Sequence, residues 1–180
     1  NPVNMEVIGS GKDARLMYLT KRQDPMTRTD KFTLRSLVVD PENERGWKPA
    51  SFGEAESIEV DLEGVPVELR ALDANAAGNL DLMIFVRYRP PALLLSAGKG
   101  SYTAEDEQNQ GTRGELQPAA VFAGKLSNDE SALLFAQNNF ARKRQLGADG
   151  RWRVLDQYNA GAASAQIAGV QALDLDGDGV

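Results

Sequence analysis

An internal repeat of about 50 residues constrains this chain more than any other feature. Phe135 lies 50 residues after Phe85, and Trp152 lies 50 residues after Tyr102. A chain of 180 residues holds three such units and a remainder. Repeats of this length predict small supersecondary units that bury their apolar faces by stacking on neighbours. The alternative is a non-repeating β domain whose strands share this spacing by coincidence.

Nearly every patterned segment is typical of β-strands. Residues 65–71 alternate between apolar and polar side chains, which predicts a half-buried strand, whereas residues 82–86 are continuously apolar, which predicts a strand buried on both faces. Residues 15–19 supply the matching strand of a longer first copy, whose extra length we place in a hairpin extension over residues 21–30. Gly98 and Gly150 mark hairpin turns.

Three or four short strands in each 50-residue unit are typical of β-propeller blades. We therefore predict an all-β fold made of blades at about 1–70, 71–120 and 121–171, with a further blade starting at 172–180. Natural propellers need at least about four blades to close. The chain also opens on Asn1 without an initiator Met and stops inside an acidic loop. We expect a fragment of a longer, processed protein, with the rest of the propeller missing from it.

Composition excludes several chemistries. The chain contains no histidine and no cysteine, which removes His-based general acid–base catalysis, thiolate nucleophiles, disulfides and thiolate zinc sites. Its formal charge of −6 argues against nucleic acid and anionic membrane surfaces as partners. No apolar run approaches the roughly 20 residues of a transmembrane segment.

The end of the chain places three carboxylates at alternate positions with glycines between them. Asp174, Asp176 and Asp178 would converge on one point of a tight turn, where hard oxygen ligands suit Ca²⁺. A solvated acidic turn is the alternative interpretation. The sequence predicts a structural calcium loop.

Two earlier copies of this loop are eroded. The copy at Asp73, Asn75 and Asp81 keeps the first, third and ninth positions, but Ala77 occupies the fifth. The middle copy has Ala123 and Lys125 where the first two ligands belong, so we expect it to be metal-free.

The loop at residues 73–82, the apolar strand after it and the partial loop at 174–179 resemble the FG-GAP/VCBS repeats of integrin-alpha-like β-propellers. The family motif is Asp-x-Asp-Gly-Asp-Gly-x-x-Asp-Leu followed by an apolar strand, and Asp81-Leu82 matches its end. The resemblance implies an exported propeller whose loops take Ca²⁺ for rigidity. The family's Phe-Gly-Gly-Ala-Pro signature is missing. An EF-hand loop also fits Asp174 and its neighbours, but it needs an entering helix, whereas the copy at Asp73 is entered by a predicted strand.

Two function classes remain open. The first is a non-catalytic, calcium-stabilised interaction module that binds a protein or glycan outside the cytosol, because weak calcium loops fill only at extracellular concentrations. The expected location is extracellular, periplasmic or at the cell surface. The second is the propeller domain of a secreted carbohydrate-active enzyme, a lyase or a glycosidase. That enzyme would need an acidic pair facing the propeller axis, and the sequence identifies no catalytic residue and no cofactor site beyond calcium.

Two smaller features also carry expectations. Trp47, Tyr102 and Trp152 share a repeat position, which predicts aromatic packing between blades rather than a sugar platform. The basic cluster at residues 142–144 is interpreted as the solvated surface of one strand, or as edge charge that discourages aggregation, with an anion site as the alternative.

Overall fold

The computed structural model describes residues 2–9, 14–40, 42–52, 54–98, 101–105, 115–125 and 131–172. Within these residues the fold is all-β, with three antiparallel sheets in chain order and no α-helix. The prediction of an all-β chain is confirmed. The only helical turn in the described residues is a 3₁₀ turn at Pro118–Ala120, immediately before the third sheet.

The first sheet is a meander with a split edge. Its strands are β1 (Pro2–Ile8), β2 (Arg15–Gln23), β3 (Asp30–Asp40), β4 (Asn43–Ala50) and β5 (Ile58–Val60). Both β4 and β5 pair with β3, at its two ends. The β2–β3 pairing continues without a shift from Arg15 opposite Val38 to Gln23 opposite Asp30, so the predicted hairpin extension is present.

The second and third sheets are four-stranded meanders of the same order. The second contains β6 (Pro66–Leu72), β7 (Asp81–Val86), β8 (Ala92–Gly98) and β9 (Ser101–Ala104), and the third contains β10 (Val121–Lys125), β11 (Ser131–Gln137), β12 (Phe140–Leu146) and β13 (Trp152–Asn159). Phe85 and Phe135 each lie on the second strand of their sheet, and Tyr102 and Trp152 each lie on the fourth. The predicted boundary between the first and second blades, between residues 70 and 71, falls inside β6.

The three sheets stack face to face, and the middle sheet is buried on both faces. On one face Leu82 and Ile84 of β7 join a core with Met17 and Leu34 of the first sheet. On the other face the alternate residues Met83 and Phe85 join a second core, whose other large members on the two sheets are Leu72, Leu93, Leu133, Phe135 and Leu146. The prediction that residues 82–86 form a doubly buried strand is confirmed, and all six residues of β7 are buried.

The first strands of the first and second sheets lie side by side. Asn4 Oδ1 on β1 accepts the Leu69 N–H of β6 at 3.2 Å, and Glu6 Oε1 accepts the Ala71 N–H at 3.5 Å. These side chains satisfy the edge of β6 that faces away from β7. In the other direction Arg70 Nη1 donates to the carbonyl oxygens of Pro118 at 2.9 Å and Val121 at 2.8 Å, at the start of the third sheet.

The face of the first sheet that points away from the stack has an apolar half and a polar half. The polar half lies beside the β2–β3 hairpin and carries Thr20, Arg22, Lys31, Thr33 and Arg35. The side chains of the apolar half are exposed or half-buried: Met5, Val7, Leu16, Tyr18, Leu37, Val39 and Trp47. Trp47 is 44% exposed on this face, so it lies in neither of the two cores between the described sheets. Tyr102 and Trp152 do pack against the two cores, where they meet Phe52 and Phe135 edge-on.

Candidate functional site

The acidic loop at residues 73–81 connects β6 to β7 and is held together by its own side chains. Asp73 Oδ1 accepts the N–H of Ala77 at 3.1 Å and its Oδ2 accepts the N–H of Gly78 at 3.0 Å. Asn75 Oδ1 also accepts the Ala77 N–H, at 3.0 Å. Ala76 and Gly78 adopt left-handed φ angles of 55° and 78°, which turn these amide groups inward.

Asp81 is fully buried at the start of β7, where it ties the loop to the next hairpin. Its Oδ2 accepts the Ala74 N–H at 2.9 Å, and its Oδ1 accepts the Ser96 N–H of β8 at 2.7 Å. Burial raises the pKa of Asp81, the two hydrogen bonds oppose that rise, and the nearby negative charge of Asp73 adds to it. The two predicted ligands therefore lie within electrostatic reach of each other.

The loop fits a calcium ion only in part. Asp73, Asn75 and Asp81 bring two carboxylates and one amide oxygen, whereas Ca²⁺ takes six to eight oxygens. Ala77 contributes no side-chain oxygen, and its N–H points at Asp73. In the described part of the chain no group of three or more His, Cys, Asp or Glu side chains is placed to hold a metal ion. Asp174, Asp176 and Asp178 lie outside the described residues.

The other end of the sheets carries the hairpins between the second and third strands. In each of the three hairpins one non-glycine residue adopts a left-handed φ: Arg28 at 57°, Tyr88 at 61° and Asn138 at 53°. Tyr88 and Asn138 are again 50 residues apart. Tyr88 is 79% exposed, so an unusual backbone conformation presents a large aromatic ring to solvent.

A pocket of about 520 Å³ opens at this end of the third sheet. Its walls are the β11–β12 hairpin, the connection that leads into the third sheet, and the segment that follows β13. Two backbone hydrogen bonds hold that segment in place: Ile167 N–H donates to Asn138 O at 2.7 Å, and Val170 N–H donates to Ala119 O at 3.1 Å. A second depression of about 430 Å³ shares Glu115 and Gln117 with it and continues to Arg87 and Tyr88.

Two members of the basic cluster at residues 142–144, Arg142 and Arg144, line this pocket, and the interpretation of the cluster as a solvated surface does not account for them. The cluster lies on β12, an interior strand paired with β11 and β13, so the edge-charge interpretation is wrong. Arg144 is only 4% exposed, and both Arg142 and Arg144 line the pocket. The signal available in the sequence was the spacing: residues two apart on a strand share a face, so Arg142 and Arg144 had to point the same way.

No protein-family model matches this chain, and no curated protein matches it either. The likeness to FG-GAP/VCBS repeats therefore remains one of motif and spacing. The described residues contain no helix with the length and apolar character that crossing a bilayer requires.

Proposed function

We propose that the chain is a non-catalytic interaction module built from β-propeller blades. The observation that carries this proposal is the stacking of three consecutive meanders, with the middle sheet covered on both faces, β1 beside β6, and Arg70 of β6 reaching the start of the third sheet. Blades arranged around an axis have these two properties, because their inner strands converge and their faces cover one another. The likeness to FG-GAP/VCBS repeats supports the same arrangement.

Calcium binding at the 73–81 loop is part of the proposal. Asp73, Asn75 and Asp81 would hold the ion, and Asp174, Asp176 and Asp178 would form a second loop. Because the first loop supplies few oxygens and donates its own N–H groups to Asp73, we place its affinity at the weak, extracellular end, with a Kd of roughly 10⁻⁴–10⁻³ M. This affinity supports an exported protein, and the partner that we propose for it is a protein or a glycan.

The enzymatic alternative draws no support from the described residues. A lyase or glycosidase of this kind would offer a substrate a carboxyl group with a raised pKa. Burial raises the pKa of Asp81, but this carboxyl group is fully buried and accepts two backbone amides, so it is not offered to a substrate. An interaction module is the function that this geometry supports best.

Thermal unfolding with calcium or with EDTA tests the calcium part. Ligand at tenfold its Kd adds about 1.4 kcal/mol to the free energy of unfolding, so Tm rises with calcium. Asp73→Ala should remove the share of that rise which the 73–81 loop provides, and Asp129→Ala in the degenerate copy should leave the rise unchanged. A wild-type Tm that does not respond to 10 mM calcium would overturn calcium binding without touching the proposed architecture.

A further inference from the structure

The pocket at the end of the third sheet has the size of a small-ligand site. Its volume of about 520 Å³ falls within the range of about 300–1,000 Å³ that such sites occupy. Leu116, Ala120 and Ala136, which also belong to the core between the second and third sheets, form its apolar part. The pocket is therefore built on packed elements rather than on a loop alone.

Two guanidinium groups converge in this pocket. Arg144 lies 5.5 Å from the centroid of the Phe135 ring, and Arg142 lies 4.4 Å from that of Phe140. Arg142 Nε donates to Gln157 Oε1 at 2.8 Å, which fixes the plane of that group. Burial lowers the pKa of Arg144, and the positive charge of Arg142 lowers it further. An anion bound between the two guanidinium groups would favour the charged form of Arg144 and so counteract this lowering. Planar guanidinium groups on aromatic rings are suited to bidentate contacts with carboxylates.

The remaining polar groups of the pocket are suited to hydroxyls. Gln117, Gln137 and Asn138 line it, and each primary amide can donate and accept hydrogen bonds. Glu115 lies at the rim that the pocket shares with the second depression, where Gln117 Nε2 donates a hydrogen bond to Glu115 Oε1 at 2.7 Å. Past this rim the adjoining depression leads to the exposed ring of Tyr88.

The charge of the groove formed by the two depressions is opposite to that of the whole chain. Arg87, Arg142 and Arg144 line it together with one carboxylate, Glu115, whereas the chain has a formal charge of −6. The rest of the protein surface is acidic on average and repels a polyanion. A polyanion would therefore bind specifically in the groove and not by diffuse attraction to the protein.

We propose that this groove binds an acidic polysaccharide, with the carboxylate of one uronic acid unit between Arg142 and Arg144 and a neighbouring unit on Tyr88. The amide side chains favour a sugar over an acidic peptide, because a uronate presents several hydroxyls beside its carboxylate. The proposal rests on the role as an interaction module and is independent of calcium.

Titration calorimetry with tetragalacturonate, in the presence of EDTA, tests the groove. We expect binding that weakens with salt, and no binding of the uncharged galactose tetramer. Arg142→Gln should weaken binding at least about tenfold, because it removes charge-assisted hydrogen bonds. Arg153→Gln is the matched control: Arg153 lies on the same sheet and pairs with Asp149, away from the groove, and its loss should leave affinity unchanged.

Tyr88→Asn is a second variant that keeps the backbone. Asparagine tolerates the left-handed conformation, as Asn138 does at the equivalent position, so only the ring is lost. We expect several-fold weaker binding of the tetramer and unchanged binding of galacturonate itself.

Failure of tetragalacturonate to bind would overturn the proposal, as would equal binding by Arg142→Gln and wild type. Preferential binding of a tetraglutamate peptide would reassign the groove to acidic peptides. Binding of tetragalacturonate that persists in EDTA supports polysaccharide binding in the groove even if the calcium proposal fails.

Discussion

At the scale of single residues, Asp81 stabilises the fold whether or not a cation is bound. The motif predicts it as the ninth ligand of a calcium loop, and its place before an apolar strand was visible in the sequence. That its two oxygens would accept the Ala74 and Ser96 amides was not visible, because the partner on β8 is 15 residues away and depends on the pairing of β7 with β8. A buried carboxylate must find such donors.

Asp81→Ala should therefore destabilise the protein in EDTA. The substitution leaves two backbone N–H groups without acceptors, and each buried orphan donor costs about 1–3 kcal/mol. Urea unfolding measures the loss, and Asp61→Ala, at an exposed carboxylate, should stay within about 0.5 kcal/mol of wild type. If Asp81→Ala weakens the protein only when calcium is present, the residue is a ligand and not a structural acceptor.

The pKa of Asp81 also gives a direction with pH. Because burial raises the folded pKa of Asp81 above the unfolded value, the folded state binds more protons than the unfolded state in the window between the unfolded pKa of about 4 and the raised folded pKa. The contribution of Asp81 to the free energy of unfolding thus falls as pH rises through this window and is constant above it. We expect the stability difference between wild type and Asp81→Ala to narrow over the same window in urea titrations. A difference that widens would mean that the hydrogen bonds outweigh burial.

Among the strands, the 50-residue spacing predicts the position of each strand in its sheet better than it predicts which side chains are exposed. The matching positions of Phe85 and Phe135 follow from spacing alone, because a strand's place in a meander depends on local pattern and turns. The exposure of Trp47 could not be predicted this way. It lies on the outward face of the first sheet, and which face is covered depends on which sheet stacks against it.

Phe85→Ala and Phe135→Ala should each lower stability by about 3–5 kcal/mol, since both rings are fully buried. The two rings belong to one core between the second and third sheets. We therefore expect the double variant to lose less than the sum of the single losses, because the second truncation enlarges an existing cavity. Additive losses in urea denaturation would show that the two rings do not share a core.

At the scale of the whole molecule, each sheet is stabilised by its neighbours in the stack. The middle sheet has two covered faces, whereas the first and third sheets each have one face that points away from it. The repeat predicts that neighbouring units stack on one another. It could not locate the groove, which forms only where the 115–120 connection, the β11–β12 hairpin and the segment after β13 meet.

Hydrogen exchange should rank the strands by their place in the stack. Amides of β7, which is paired on both edges and buried on both faces, should exchange most slowly. Amides of β13, an edge strand whose residues after Trp152 are exposed, should exchange fastest among the strands of the third sheet. Uniform protection across both strands would indicate that the sheets unfold as one unit.

The apolar half of the outward face of the first sheet has a consequence for how such a chain changes over generations. If the sheets are propeller blades, as we propose, each is complete only when both of its faces meet a sheet of the same kind, and the heritable unit is a whole meander of about 50 residues. Duplication of one unit adds a new interface and leaves the type of end face unchanged, whereas duplication of half a unit leaves a bare apolar surface. The lengths of related chains should therefore differ by whole units of about 50 residues.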